Sequence, residues 1–242
     1  MSAKEPAKSI EMPVECPDCG KLFDETTYPE ITIPGDNKLK KKILRKEMFY
    51  ATCPYCGKEF KLKANCLYRN DIKREAYIVT DSDETAFEAF LMTGDITLNN
   101  VRTEEDAKNF AGSLYKRRVV RNVDAFREKI LLSDSNYDDR IMELMKLSLS
   151  RILEKENHMP VYRICLDDAS GNMLEFVAFL GAFPPFDSVS VSAQAAVYNY
   201  YHDKYFDKLG KPEADEYIST DQEWAKNSGL LADEDAGFVI PL

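Results

Sequence analysis

An eight-residue motif occurs twice in the first quarter of the chain, and it constrains the fold more than any other feature. The first copy, at residues 16–23, reads CPDCGKLF, and the second, at residues 53–60, reads CPYCGKEF. Six of the eight positions are identical, and both copies contain a Cys-x-x-Cys pair. Two equivalent turns that each present two thiols predict one pseudo-symmetric four-thiolate metal site. Its predicted ligands are Cys16, Cys19, Cys53 and Cys56.

We expect one Zn²⁺ per chain at this site, because four thiolates satisfy the tetrahedral coordination of that ion. The glycine after the second cysteine of each pair permits a positive φ, which lets backbone N–H groups point at the sulfurs. A closed four-thiolate shell leaves no position for water, so the site is expected to be structural rather than catalytic. An iron site of the rubredoxin type uses nearly the same paired turns and stays open as the alternative.

The formal charge is distributed unevenly along the chain. Residues 1–80 hold 15 Lys and Arg against 12 Asp and Glu, a net of +3, whereas residues 81–242 hold 17 against 30, a net of −13. The sum is the overall −10. This asymmetry permits an anionic partner for the first part and disfavours one for the rest. No apolar run reaches the roughly 18 residues of a membrane span, so we expect a cytoplasmic protein without a membrane partner.

The periodicity of apolar residues predicts an α+β fold. We expect a flexible tail at residues 1–12, a zinc-ribbon unit at 13–80, a helical region packed on it at 81–155 and a C-terminal α+β extension at 156–242. The ribbon unit is predicted to contain an inserted short helix at 38–47. Further helices are predicted at 84–92, 104–115, 123–132, 136–154 and 190–209, and a β-hairpin at 161–166 with 173–180.

Several stretches resemble one family, the bacterial CpXC domain. They are the two cysteine motifs, the aromatic lead-in Met48-Phe49-Tyr50, the run at residues 118–130, and Asp138-Asp139-Arg140. The similarity covers about residues 13–155. It implies a zinc-binding domain in the bacterial cytosol, with no established activity, and it leaves the residues after 155 unexplained.

The sequence offers little that resembles catalytic machinery. The chain has only two histidines, and it contains no P-loop, dinucleotide-binding fingerprint or nucleophile elbow. His158 is expected in a loop and His202 on a helix, where packing or surface roles predominate. Cys66 and Cys165 lie among apolar residues and are expected in the core. We therefore expect no enzymatic activity, with a site in the C-terminal half as the minor alternative.

Two acidic pairs are more simply explained by local structure than by acid–base chemistry. Asp138 and Asp139 precede a predicted helix, and Asp167 and Asp168 begin a predicted turn. Aspartate is favoured at both kinds of position, because its side chain accepts hydrogen bonds from nearby backbone N–H groups.

The sequence favours a non-catalytic zinc ribbon that serves protein–protein interaction or regulation. The expected contact residues are the aromatics beside the cysteine motifs and the tyrosine-rich segment at 198–206. The alternative is a nucleic-acid-binding ribbon acting in transcription or translation, although a pI of about 4.9 argues against it. Its contact residues would be Lys38, Lys40, Lys41, Lys42, Arg45 and Lys46.

Overall fold

The computed structural model describes residues 7–63, 65–82, 115–210 and 218–231. These residues form both helices and strands, which confirms the α+β class. The chain divides into two compact units. The first unit is Met1–Arg127 with Pro212–Ile218, and the second is Glu128–Lys211 with Ser219–Leu242. The domain boundaries expected after residues 12, 80 and 155 stay predictions, and the helices expected at 84–92 and 104–115 fall almost wholly outside the described residues.

The first unit contains two antiparallel hairpins, a four-stranded sheet and a short helix. Its hairpins are β1 (Ile10–Glu15) with β2 (Leu22–Thr27), and β4 (Tyr50–Thr52) with β5 (Glu59–Lys61). Its sheet has the order β3 (Glu30–Ile33), β6 (Cys66–Asn70), β7 (Glu75–Val79), β8 (Lys116–Val120). The two outer pairs of this sheet are parallel and the central pair is antiparallel. Helix α1 (Asn37–Leu44) lies between β3 and β4 in the chain.

Strand β8 corrects the expectation that residues 81–155 are helical. Its sequence, KRRVV, lacks the alternation of apolar and polar residues that identifies a strand. It pairs in parallel with β7, beginning at Glu75 opposite Lys116. Such a pairing depends on a partner about forty residues away in the sequence, which no local pattern records.

Aromatic side chains form the core beside this sheet. Tyr68 on β6 stacks on Tyr77 on β7, with ring centroids 5.5 Å apart. Phe126 contacts Tyr68 at 5.4 Å and Phe49 at 6.2 Å. Phe126 lies in the first turns of helix α2 (Val123–Asp134), so the start of that helix completes the core of the first unit. Burying each such ring contributes roughly 1.5–3 kcal/mol of transfer free energy.

The second unit joins helices to a three-stranded antiparallel sheet. Its strands are β9 (Val161–Asp168), β10 (Met173–Leu180) and β11 (Asp187–Gln194), with β10 in the centre. Its helices after α2 are α3 (Asp139–Asn157), α4 (Ala195–Tyr205) and α5 (Gln222–Asn227), and a 3₁₀ turn at Phe206–Lys208 follows α4. The predicted hairpin is present as β9 and β10. No helix in the described ranges is both long and apolar enough to cross a membrane.

The helix predicted at 190–209 is wrong over its first five residues, which belong to strand β11. Residues 188–193 read SVSVSA, a period-two alternation that fits a strand better than a helix. Val189 and Val191 lie opposite Ala178 and Phe176 of β10, so the β-branched residues are directed towards the core. The helix begins only at Ala195.

Helix α3 buries more of its surface than the predicted apolar stripe. The stripe residues Ile141, Leu144 and Met145 are fully buried, as the sequence pattern indicated. Charged residues of α3 are buried as well, together with two residues of α2. We call this group the buried charge cluster; its members are Glu128, Lys129, Asp139, Glu143 and Lys146.

Short ion pairs connect the members of the buried charge cluster. Lys146 Nζ lies 2.9 Å from Glu128 Oε1 and 2.8 Å from Glu143 Oε1. Lys129 Nζ lies 3.0 Å from Asp139 Oδ2 and donates to the carbonyl oxygen of Thr220. Charges this deeply buried persist only when they are paired, because desolvation costs several kcal/mol per ion.

Candidate metal centre

Each cysteine motif forms the turn of one hairpin. In the first turn, the Cys16 N–H donates to the Lys21 carbonyl at 3.0 Å, and the Gly20 N–H donates to the Cys16 carbonyl at 3.0 Å. The second turn repeats both bonds at its equivalent positions, each at 2.9 Å. The identical residues of the repeat therefore build the same backbone geometry twice, once between β1 and β2 and once between β4 and β5.

The glycine of each turn is needed for its backbone conformation. Gly20 has φ +68° and Gly57 has φ +75°, in the left-handed region that side chains disfavour. A Cβ at Gly57 would meet nothing within 4 Å, so the requirement is conformational rather than steric. The positive φ directs the next amide at the sulfur: the Lys21 N–H donates to Cys19 and the Lys58 N–H donates to Cys56.

The two turns bring all four sulfurs together. Cys16 Sγ lies 3.6 Å from Cys56 Sγ, and Cys19 Sγ lies 3.7 Å from Cys53 Sγ. All four sulfurs lie within 4.8 Å of one another. A disulfide requires about 2.0 Å between sulfurs, whereas a tetrahedron with Zn–S distances of about 2.3 Å has edges of about 3.8 Å. The four thiols therefore fit a metal ion, and none of the six cysteines forms a disulfide.

The two cysteines of each pair differ in burial in the same way. Cys16 and Cys53, the first of each pair, are 1% exposed, whereas Cys19 and Cys56 are exposed. The closest sulfur contacts join a buried cysteine of one turn to an exposed cysteine of the other. This pattern is the approximate two-fold symmetry that the repeat predicted.

The crowded thiols have divergent pKa values. Burial opposes ionisation of Cys53, but amide donation from Tyr55 and Cys56 outweighs it and lowers the pKa of Cys53 to about 7. The Lys58 amide favours the Cys56 thiolate, yet burial and the neighbouring thiols raise the pKa of Cys56 to about 12. One thiolate therefore forms readily, and its negative charge opposes ionisation of the other thiols. A divalent cation would offset this repulsion.

A small apolar cluster lies between the two hairpins. Val14, Ala51 and Leu62 are its buried residues. Phe23 and Phe60, which occupy the last position of the two motif copies, meet edge to face at 6.2 Å. These two aromatics are half-buried and pack against the apolar cluster of the ribbon.

Asp124 fastens the second hairpin to α2, and sequence reasoning missed this role. Its Oδ1 accepts from the Tyr50 hydroxyl at 3.0 Å, and its Oδ2 lies 2.5 Å from Lys61 Nζ. The signal in the sequence was weak, because an aspartate in the first turn of a helix is already explained by the helix dipole.

The predicted nucleic-acid contacts lie on α1 and the turn that follows it. Lys40 is half-buried and the other five basic residues are exposed. The helix ends at Leu44, earlier than predicted, because Lys46 adopts φ +60°. The N–H groups of Lys46 and Glu47 donate to the carbonyls of Ile43 and Lys42, which closes the helix in a Schellman arrangement.

Three tyrosines of helix α4 are too deeply buried to belong to the contact surface that the sequence suggested. Tyr198, Tyr201 and Tyr205 are buried in the core of the second unit. His202, on the more exposed side of α4, stacks on Phe206 with ring centroids 4.6 Å apart. Burial removes these three tyrosines from the expected contact surface, whereas Tyr200 is half-buried and Phe206 exposed, so a contact role for the rest of the segment stays a prediction.

The remaining candidate residues have local structural roles, at helix ends, in the core or in a turn. His158 ends α3 with φ +53°, and Asp138 caps the same helix by accepting from the Arg140 N–H. Burial raises the pKa of the Cys66 thiol, as expected for a core cysteine. Asp168 accepts from Ser170 in the turn after β9.

Comparison with known proteins places the chain in a family. The sequence profile of a family described as CpXC protein matches residues 14–146, more than half of the 242 residues. No curated protein and no solved structure matches the chain. The matched region contains both cysteine motifs and agrees with the similarity noted from the sequence. The chain belongs to the CpXC family.

Proposed function

We propose that the four cysteines hold one structural Zn²⁺ and that the ribbon so formed is a non-catalytic interaction module. The observation that carries the metal site is the arrangement of the sulfurs, with cross-hairpin distances of 3.6 and 3.7 Å. These distances agree with the edge of a Zn–thiolate tetrahedron, about 3.8 Å. Zn²⁺ supplies folding energy to a small unit whose core cannot provide it.

Chemical grounds favour zinc over iron at the four thiolates. Both ions accept four thiolates in the same geometry, so distances do not separate them. Zn²⁺ has no redox chemistry, which suits a site where Cys19 and Cys56 are exposed to solvent oxidants. The closed shell supports a structural role, because no position is left for an activated water.

Exposed apolar residues beside the turns support an interaction role. Leu22, which follows the first turn, is 64% exposed, and Tyr55 within the second turn is 57% exposed. Lys21 Nζ lies 4.7 Å from the centre of the Tyr55 ring. Exposed apolar residues, aromatic ones above all, are enriched where proteins bind one another. We expect a protein partner at this surface.

Nucleic-acid binding is the second candidate, and helix α1 is the observation that favours it. Four of its eight residues are lysines, three of them exposed, and it contains no acidic residue. Such a face could contact phosphates. The acidic pI weighs against it, as does the half-burial of Phe23 and Phe60, which limits the ring surface available for stacking on bases.

Metal analysis of the purified protein tests the zinc proposal. We expect about one zinc per chain, lost in Cys16→Ser, where a buried ligand is removed. The control Cys165→Ser, outside the four-cysteine group, should retain the metal. Stoichiometric iron with a visible thiolate-to-iron absorption would overturn the assignment to zinc.

Two binding measurements separate the interaction roles. Partner capture should be lost in the double variant Leu22→Ser, Tyr55→Ser and kept in Ile72→Ser, a control that also removes an exposed apolar side chain. Micromolar, steeply salt-dependent binding to DNA or RNA, lost in the triple variant Lys40→Glu, Lys41→Glu, Lys42→Glu, would instead favour the nucleic-acid role.

A further inference from the structure

Strand β11 forms one edge of the sheet in the second unit, and within the described parts of the chain no further strand pairs with that edge. Among the described residues β11 pairs with β10 alone. The pairing runs without interruption over eight residues, from Leu180 opposite Asp187 to Met173 opposite Gln194. A long, regular edge strand offers a row of backbone N–H and C=O groups to another strand.

The opposite edge of the same sheet has the protective features that β11 lacks. Strand β9 pairs with β10 through two irregularities, between Glu175 and Phe176 and between Phe179 and Leu180. It also carries charged residues, Arg163 among them. Strand β11 has no bulge, no proline and no lysine, and its only charged residue is Asp187. Natural edge strands usually carry at least one of these devices against pairing.

The core side of β11 is incompletely covered. Val189 and Val191 are half-buried, whereas Ala178 and Phe176, which lie opposite them on β10, are fully buried. The apolar layer of the sheet therefore continues to the edge formed by β11. A further strand along β11 would complete the burial of both valines.

We propose that β11 pairs antiparallel with β11 of a second copy of the chain, around a two-fold axis at Ser190. The strand is suited to antiparallel pairing with an identical strand, because residues 188–192 read SVSVS, the same in both directions. Pairing centred on Ser190 places Val189 opposite Val191 of the second copy, and Ser188 opposite Ser192.

The same alignment avoids a clash of charge. The one charged residue, Asp187, lies opposite Ala193 of the second copy and never opposite itself. The two sheets become one six-stranded sheet, with the valines on its core side and the serines on its other face. The contact is isologous, as in most two-fold dimers. An interface built from one strand pair is small, so we expect micromolar rather than nanomolar dissociation.

A charge placed on the two-fold axis tests the proposal. Analytical ultracentrifugation of the full chain should show a monomer–dimer equilibrium at tens of micromolar. Ser190→Lys and Ser190→Glu each place like charges opposite each other, and each should raise the dissociation constant roughly tenfold or more. Mixing the two variants should restore the dimer, because a lysine then faces a glutamate.

Ser188→Lys is the matched control. It adds the same side chain to the same exposed face of β11, but there the lysine faces Ser192 of the second copy, so dimerisation should persist. A wild-type chain that stays monomeric overturns the proposal, as does a dimer that both Ser190 variants leave intact. Circular dichroism and metal content, measured on each variant, exclude misfolding as the cause of a lost dimer.

Discussion

The cysteine hairpins and the second unit differ in what holds them together. The hairpins of the first unit enclose an apolar cluster with three buried residues. The described residues of the second unit share a cluster of twenty-one. At about 25 cal/mol for each Å² of buried apolar surface, only the larger cluster provides a driving force typical of a domain. The hairpins need another source of stability, and the four thiols are placed to provide it through a metal.

The two regions also differ in where their interacting ionisable groups lie. In each cysteine turn, one thiol is buried and the other is exposed, so an ion can reach the group from the surface. In the second unit, charges are buried inside the helical layer and satisfy one another. A metal held by the four thiols would link the two hairpins to each other, whereas buried ion pairs add little net stability relative to apolar replacements.

Removing the metal should have the largest effect and should be confined to the first unit. Structural zinc contributes apparent free energies of about 10–16 kcal/mol in zinc-finger peptides. We expect a strong chelator, or Cys53→Ser, to abolish hydrogen-exchange protection in peptides covering residues 10–27 and 50–61. Peptides covering β10 should stay protected. Unchanged protection of the hairpins after complete metal removal would show that their small core suffices.

Breaking the buried charge cluster should damage the second unit instead. Lys146→Met removes the cation that Glu128 and Glu143 share. Glu128 then loses its cation and Glu143 keeps only the longer contact to Lys129 at 3.8 Å, which should cost about 3–5 kcal/mol in urea unfolding. The control Lys155→Met lies on the exposed part of the same helix and should change the free energy of unfolding by less than about 0.5 kcal/mol. The triple variant Lys146→Met, Glu128→Leu, Glu143→Leu should recover most of the loss. Continued instability of the triple variant would contradict this account.

The same lysine should give the second unit a specific pH dependence. Burial disfavours the ammonium, but Glu128 and Glu143 outweigh it and raise the pKa of Lys146 above its ordinary 10.5. A raised folded-state pKa stabilises the fold fully below about pH 10.5, and this contribution is lost as the pH rises towards the folded-state value. The free-energy gap between wild type and Lys146→Met should therefore shrink above about pH 10.5. A gap that is constant into strong alkali would show that the pair does not titrate as described.

Much of this comparison could be predicted from the sequence, because its signals are local. The repeat predicted two equivalent turns, and apolar periodicity predicted α3 and the β9–β10 hairpin. The period-two run SVSVS also contained the signal for β11, but the neighbouring tyrosines and alanines favoured a longer helix. Strand β8 and the buried charge cluster depend on partners distant in the sequence. A lysine at position 146 has the same local pattern whether it faces water or two carboxylates.

Loss of one helix cap should have a smaller, local effect in the second unit. Asp221 caps α5 by accepting from the Trp224 N–H at 2.9 Å, and it also accepts from the Ser219 hydroxyl. Asp221→Ala should cost about 1 kcal/mol, within a range of about 0.5–2. Asp221→Asn keeps an acceptor at the cap and should lose clearly less. Equal losses in the two variants would indicate that the charge of Asp221, rather than its hydrogen bond to Trp224, matters.

The smallest expected effects come from two helix ends, one in each unit. Lys46 after α1 and His158 after α3 both adopt positive φ, at +60° and +53°. Left-handed conformations cost roughly 1 kcal/mol for residues with a Cβ, and glycine relieves this cost at the expense of some chain entropy. Lys46→Gly and His158→Gly should each therefore be stabilising by a few tenths of a kcal/mol to about 1 kcal/mol. If the hairpins depend on metal and the second unit on its core, each effect should stay within its own unit. Lys46→Gly should then slow hydrogen exchange around α1. Only His158→Gly should raise the urea midpoint of the second unit.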